Sequence, residues 1–301
     1  EKKPNFSSPT SVRSAAHNMT YDSGKAYRKL FRDLSIQKGE YDSTFLTVGG
    51  KSEKMGQISL NFLRKFGLGV NDFLVDVGCG YGRLVEALNT EHKGQYLGTD
   101  VVPELLNYAR ANFGRKGWDF KLVDRFVIPA QDNSADMVCF FSVFTHLPHE
   151  QSFTYLKEVR RILRDEGKVV FSFLDFKDPV HVPFFEGSVA EMGGGHPMNV
   201  FMNKDLIQVW AKLLGFECLE VLGAEEKKSL GHPYADFGQS IACLKKVNQC
   251  LSENKGAVET KLGKFHKLSL TGLQTEAAIS KRMQKKDLIL AVLKKIFHSS
   301  W

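Results

Sequence analysis

The stretch Phe73-Leu-Val-Asp-Val-Gly-Cys-Gly-Tyr-Gly-Arg-Leu-Val-Glu-Ala-Leu88 constrains the chain more than any other. Its apolar run Phe73, Leu74, Val75 and Val77 suits a buried strand, and Leu84, Val85 and Leu88 lie on one face of a helix. Between them Gly78, Gly80 and Gly82 permit a tight strand-to-helix turn and remove side chains that would keep a ligand from the backbone. The free amides of the following helix then face that ligand. Asp100 stands twenty residues beyond Gly80, at the end of the next apolar run, Tyr96-Leu-Gly-Thr-Asp100. An acid there can accept hydrogen bonds from both hydroxyls of a ribose.

The residues ahead of the glycines narrow the nucleoside. Dinucleotide folds place their third glycine three residues after the second. Here the spacing is Gly78-x-Gly80-x-Gly82, and Asp76 precedes it by two residues. A carboxylate beside the loop repels pyrophosphate and suits a ligand that bears an ammonium group. With this acid and Gly-x-Gly-x-Gly the sequence resembles the class I S-adenosylmethionine-dependent methyltransferases, over roughly residues 45 to 246.

The resemblance implies an α/β fold: a Rossmann-like doubly wound sheet, mostly parallel with an antiparallel last strand, followed by a helical basic C-terminal tail. The pattern along the chain agrees. Helices are expected over 25–34, 54–66, 103–112, 150–163 (closed by Gly167) and 204–214, with strands over 120–124, 168–175, 217–222 and 240–246. Gly39 to Gly50 reads as a loop. Residues 1–20 are polar and aperiodic, as expected for disorder. Residues 21–246 form the expected cofactor-binding domain. Within it, 176–202 break the rhythm with Pro179, Pro183, the triple glycine 193–195 and Pro197. Those residues exclude long regular elements, and an insertion at the carboxyl end of a parallel sheet reads as a substrate lid.

The resemblance also carries residue roles. Asp76, Gly78, Gly80, Gly82, Asp100 and Asp124 would hold S-adenosylmethionine, Asp124 at the adenine amino group, with Arg125 and Ser142 beside them. Arg125 stands where many members carry a small residue. Metal-dependent O-methyltransferases place acids after the fourth and fifth strands. Here Ser142 and Val143 occupy the first place and Asp175 alone the second, so no metal is expected. His146 follows strand 4 in Phe-Thr-His-Leu-Pro148 and is the leading base for a hydroxyl proton. His181 and His196, carried by the lid, come next, and Asp175 could orient any of them.

The acceptor is less constrained. No Asn/Asp-Pro-Pro-Tyr motif follows strand 4 and no double-Glu clamp is present, which favours oxygen over nitrogen methylation. A small molecule, a sugar or a lipid-linked glycan is the preferred acceptor, with C-methylation of a lipid or quinone as the alternative. Readings of another class are an NAD(P)-dependent oxidoreductase, disfavoured by Asp76 and the glycine spacing, and a non-catalytic nucleoside-binding module.

Charge is placed unevenly. Residues 245–301 hold 12 Lys/Arg and 4 Asp/Glu, a net +8 against +7 for the whole chain, so residues 1–244 carry −1 and are close to neutral. A neutral core argues against a nucleic-acid substrate. In 247–301, residues 281–297 (KRMQKKDLILAVLKKIF) set an apolar side against six basic residues. Such a helix can lie on anionic lipid or dock on a protein partner, an oligomer mate included. The five cysteines are scattered without Cys-x-x-Cys spacing, as in a reducing compartment. No apolar run reaches eighteen residues and no signal peptide is seen, although the missing initial Met suggests that the native start lies upstream. The expected location is cytoplasmic or peripheral at the membrane.

Overall fold

The computed structural model describes residues 22–191, 197–229 and 237–247, all within one compact unit that ends at Asn248. The expected disorder of 1–20, the triple glycine with His196, and the basic tail lie outside the described residues.

The chain enters through three helices, α1 (Ser23–Lys38), α2 (Glu40–Leu46) and α3 (Glu53–Lys65). Next come β1 (Leu74–Val77), α4 (Arg83–Leu88), β2 (Tyr96–Asp100), α5 (Pro103–Phe113), β3 (Trp118–Leu122) and β4 (Ala135–Phe140). After them stand α6 (His149–Ile162), β5 (Leu163–Asp175), a 3₁₀ turn (Pro179–His181), α7 (Val182–Ala190), β6 (Phe201–Met202) and α8 (Lys204–Leu214). The last elements are β7 (Phe216–Leu222), α9 (Ala224–Ser229) and β8 (Ser240–Lys246).

One sheet runs in the order β3-β2-β1-β4-β5-β8-β7, and β6 pairs with β5. Strands β1 to β5 are mutually parallel, whereas β8 is antiparallel to both β5 and β7. The order reverses at β1, so a crevice opens beyond the carboxyl ends of β1 and β4, where such sheets bind ligands.

Local chemistry explains the elements that flank this crevice. In α3, the Ser52 hydroxyl accepts from Met55 N–H at 3.3 Å, and Arg64 and Lys65 sit in the last turn, where they complement the helix dipole. Its buried face, with Ile58, Phe62 and Leu63, packs on one side of the sheet. Each such side chain contributes about 1.5–3 kcal/mol on burial. The opposite side of the sheet is filled by Phe140, Phe144, Phe171 and Leu156. A third, smaller cluster joins Phe31 and Phe45 of α1 and α2 to Tyr81, Val102 and Leu105.

Several boundaries differ from the sequence reading. The first helix extends to Ser23–Lys38, because Asp22 caps it by accepting from Lys25 N–H at 3.0 Å. The expected loop 39–50 contains α2, whose Ser43 and Thr44 hydroxyls bond backward to the carbonyls of Gly39 and Glu40. Strand pairing to β4 begins at Leu163, so α6 stops at Ile162, one residue before the expected Leu163, and Gly167 lies within β5 rather than closing the helix. Within the insertion after β5, residues 179–190 form a 3₁₀ turn and α7, which the prolines did not suggest. Pro183 falls in the first turn of α7, where a missing N–H costs no helix bond.

Candidate functional site

The glycine turn is held from below by β2. Gly78 and Cys79 N–H donate to the carbonyl of Thr99 at 2.7 and 2.9 Å, and Gly80 N–H donates to Asp100 Oδ2 at 2.9 Å. All three glycines have positive φ, at 76°, 57° and 99°. At Gly78 an added Cβ would also lie 2.4 Å from Val143 Cγ2, so the turn excludes any side chain there on two counts.

Two carboxylates stand beside that turn. Asp100 is buried, and its second oxygen accepts from Val102 N–H at 2.9 Å. Burial raises its pKa, against the lowering effect of those amides. Asp76 lies deeper. Tyr96 Oη donates to its Oδ2 at 2.8 Å and the Cys139 thiol lies 3.5 Å from Oδ1. Desolvation pushes its pKa up to about 6, although both hydrogen bonds oppose the rise. Asp76 makes no ion pair among the described residues.

These groups face a cavity of about 490 Å³. Asp76, Gly78, Gly80, Asp100, Asp124, Arg125, Ser142 and His146 all line it. Asp124 and Arg125 are exposed and sit just past β3, which ends at Leu122, two residues earlier than expected. Gly82 lies behind the wall and caps α4. Ser142 adopts φ +59°, a conformation uncommon outside glycine. Its N–H donates to Ser172 Oγ at 2.7 Å, and its hydroxyl meets the Gln239 amide at 3.0 Å.

The histidines separate. His146 is half-buried at the cavity wall, edge-on to Tyr27 with ring centroids 5.5 Å apart. Its Nδ1 lies 3.1 Å from the carbonyl of Met198, and burial lowers its pKa. The ring is therefore neutral near pH 7, with the Nδ1 proton on Met198 and the Nε2 lone pair free of that bond. His181 departs from the expected role of a base. It is buried outside the cavity wall, where Asp175 N–H donates to Nδ1 at 2.8 Å and Nε2 meets the carbonyl of Gly238 at 3.0 Å. Both ring nitrogens are thus occupied, Nδ1 at the end of β5 and Nε2 on the segment that presents Phe237 and Gln239 to the cavity. Lys227 serves the same segment, donating to the carbonyl of Gln239 between the rings of Phe62 and Phe237. Burial lowers its pKa to about 8. The Asp175 carboxylate accepts from Lys177 N–H at 2.9 Å and bonds no histidine among the described residues.

Sequence reasoning missed several wall residues. Tyr27 and Leu30 of the first helix and its cap Asp22 close one side, and Arg83 closes another. The Arg83 guanidinium donates to the carbonyls of Val48 and Gly50 at 2.9 and 2.8 Å, strapping residues 48–50 across the glycine turn. Its position next to Gly82 was the only local signal, and a side chain that acts through backbone carbonyls leaves no motif. Among the described residues no group of three or more His, Cys, Asp or Glu side chains is placed to hold a metal ion.

A doubly wound sheet with this order, a glycine-rich turn after β1 and a buried acid at the end of β2 are the features of a class I S-adenosylmethionine-type methyltransferase domain. Residues 75–171 match a family model described as "Methyltransferase domain", so the chain carries such a domain, and S-adenosylmethionine is its cofactor. The residues fit that group: a buried carboxylate without a counter-charge faces the cavity beside a cradle that a Cβ would fill.

Among curated proteins, a "Probable fatty acid methyltransferase" of Pseudomonas putida is 29% identical over 111 residues, 36% of this chain and 28% of that protein. A demethylmenaquinone methyltransferase of Lactobacillus johnsonii is 27% identical over 182 residues, 58% of this chain and 66% of that protein. The chain thus spans only 28% of the length of the former. Of solved structures, a chain of the complex between the Haloferax volcanii Trm112 methyltransferase activator and its methyltransferase has a TM-score of 0.54 at 19% identity, covering 74% of this chain and 99% of that one. Magnesium protoporphyrin IX methyltransferase from Synechocystis, with bound SAH, has a TM-score of 0.53 at 15% identity, covering 75% and 100%. At these identities the two structures share the fold. Among the described residues no helix is long and apolar enough to cross a membrane.

Proposed function

We propose that the chain transfers a methyl group from S-adenosylmethionine to a hydroxyl of a small molecule, sugar or lipid-linked glycan, without a metal and with His146 as general base. The observation that carries this reading is the state of His146: at the cavity wall, neutral through burial, with Nδ1 committed to Met198. When bound, the sulfonium supplies an electrophilic methyl carbon. The protein's task is to align the nucleophile and exclude water. Asp76 would pair with the ligand's ammonium group. Asp100 has lone pairs left for the ribose hydroxyls after its two amide bonds, and Asp124, with Arg125 beside it, would meet the adenine edge. Ser142, fixed by Ser172 and Gln239, would support the cofactor opposite the glycine turn. His146 Nε2 would take the proton of the acceptor hydroxyl.

C-methylation of a lipid or quinone is the second reading, favoured by the similarity to the demethylmenaquinone methyltransferase. The domain limits belong to the proposal too: 21–246 as the catalytic domain, 176–202 as its lid, and 247–301 as an extension for membrane or partner contact. A protein partner has support in the fold neighbour solved with an activator.

Cell extracts incubated with methyl-labelled S-adenosylmethionine, followed by mass spectrometry and NMR of the product, test both readings. An O-methyl product supports the first reading and a C-methyl product the second. On the acceptor so found, His146→Gln is expected to lower the rate about 10²–10⁴-fold. Because the His146 pKa is lowered, the wild-type rate should fall only below about pH 6.5, as the base becomes protonated. A near-normal rate in the variant would remove His146 from the chemistry.

A further inference from the structure

Helix α7 stands out because none of its residues is buried, although it reads Val-Pro-Phe-Phe-Glu-Gly-Ser-Val-Ala. Phe184, Phe185 and the neighbouring Phe176 are 52%, 42% and 56% exposed, and Val182 and Val189 are similarly open. The patch is preorganised. Phe185 meets Phe176 and buried Phe201 edge-on, and Phe176 lies tilted against Phe201, with centroids 4.9–5.4 Å apart. It also stands beside the site. Ser188 accepts from the Asn199 amide at 2.8 Å, while the adjacent Met198 carbonyl holds His146 and Pro197 lines the cavity.

We propose that α7 is an interfacial anchor that dips into a neutral lipid surface, holding the mouth of the cavity against the lipid. Area decides against a protein occupant. A buried aromatic ring hides about 150–250 Å², so three half-exposed rings and two valines offer roughly 400 Å². A stable protein interface needs about 800 Å² per partner. Geometry points the same way. At 100° per residue Phe184 projects away from the face of Val182, Phe185 and Val189, and a fluid apolar phase covers such a helix on several sides where a flat partner covers one. Charge selects the lipid. The helix and its end carry Glu186 and Glu191 and no Lys or Arg, which suits a zwitterionic rather than an anionic surface. This inference does not depend on the acceptor or on the methyl-transfer reading.

The test is flotation of the full chain with pure phosphatidylcholine vesicles at about 1 M salt, where the Debye length is about 3 Å and the basic tail is silenced. The full chain and a chain lacking residues 281–301 should both float. The Phe184→Ser/Phe185→Ser double variant should lose vesicle binding by about tenfold or more while its affinity for S-adenosylhomocysteine is unchanged. Val189→Lys, a milder change on the same face, should weaken flotation in the same direction if the double variant fails to fold. Failure of the full chain to float overturns the proposal. So does flotation that survives both substitutions, or light scattering in which a substitution converts a dimer to a monomer, which would make the patch a contact between copies.

Discussion

At the residue scale, Asp76 shows how the site spends stability on ligand binding. The carboxyl is buried with only a phenol and a thiol beside it, and its pKa rises from 3.8 to about 6. A shift of that size corresponds to about 3 kcal/mol. The raised pKa means the contribution is fully present below about pH 4 and is lost as pH rises through 6. Near neutrality the ligand-free domain therefore carries a charge it would shed. Asp76→Asn is expected to raise the stability of the ligand-free protein at pH 8 by about 1–3 kcal/mol, with little gain at pH 4. It should also weaken S-adenosylhomocysteine binding, because the ammonium group loses its partner. Urea unfolding at the two pH values and calorimetry check both halves. A variant less stable at pH 8 would overturn the burial penalty, and one that binds normally would show that Asp76 is not the cation's partner. In the wild type, affinity should fall as pH drops through about 6 and the carboxylate takes up its proton.

At the scale of elements, the crossing of α3 over α4 decides how the glycine turn is covered. Gly56 lets the two helices touch: a Cβ there would stand 2.1 Å from the Arg83 carbonyl. Arg83 in turn straps residues 48–50, so displacing α3 disturbs the cofactor's cover. Helix propensity alone would reward Gly56→Ala by about 1 kcal/mol. The overlap is with backbone, which cannot rotate away, so overpacking dominates and a net loss of about 1–3 kcal/mol is expected. Denaturant titration gives the stability, and calorimetry should show weaker S-adenosylhomocysteine binding. A stabilised variant would mean that the helices separate freely and that the strap does not depend on them.

At the scale of the whole molecule, charge placement separates chemistry from location. The basic segment 281–297 lies outside the described residues, and its proposed role rests on its sequence: six basic side chains against an apolar side. Each basic residue near an anionic surface contributes about 1 kcal/mol, and the attraction fades within a Debye length. Deleting residues 281–301 should leave cofactor affinity unchanged and lower salt-sensitive binding to anionic vesicles. If the full chain ignores such vesicles and the deletion changes oligomeric state, the segment is a protein contact instead.

The sequence by itself determined the sheet's working edge. The Gly78-x-Gly80-x-Gly82 turn, Asp76, Asp100 and the apolar periods of β1 to β5 are local patterns, because strand, turn and helix are each set by residues a few positions apart. The same locality explains why α7 and α2 were missed: prolines and glycines report where a helix can begin, not whether one forms between them. Tertiary structure alone decided which distant groups meet. Ser142 finds Gln239 across 97 positions, and His181 finds Gly238 across 57. The latter pairing turns a candidate base into a support for the cavity wall. Tyr27 reaches His146 because α1 folds over the crevice, and Asp76 acquires its raised pKa only once the packed sheet excludes water. Such pairings depend on strand order and layer packing, which a one-dimensional pattern of apolar and polar residues does not encode.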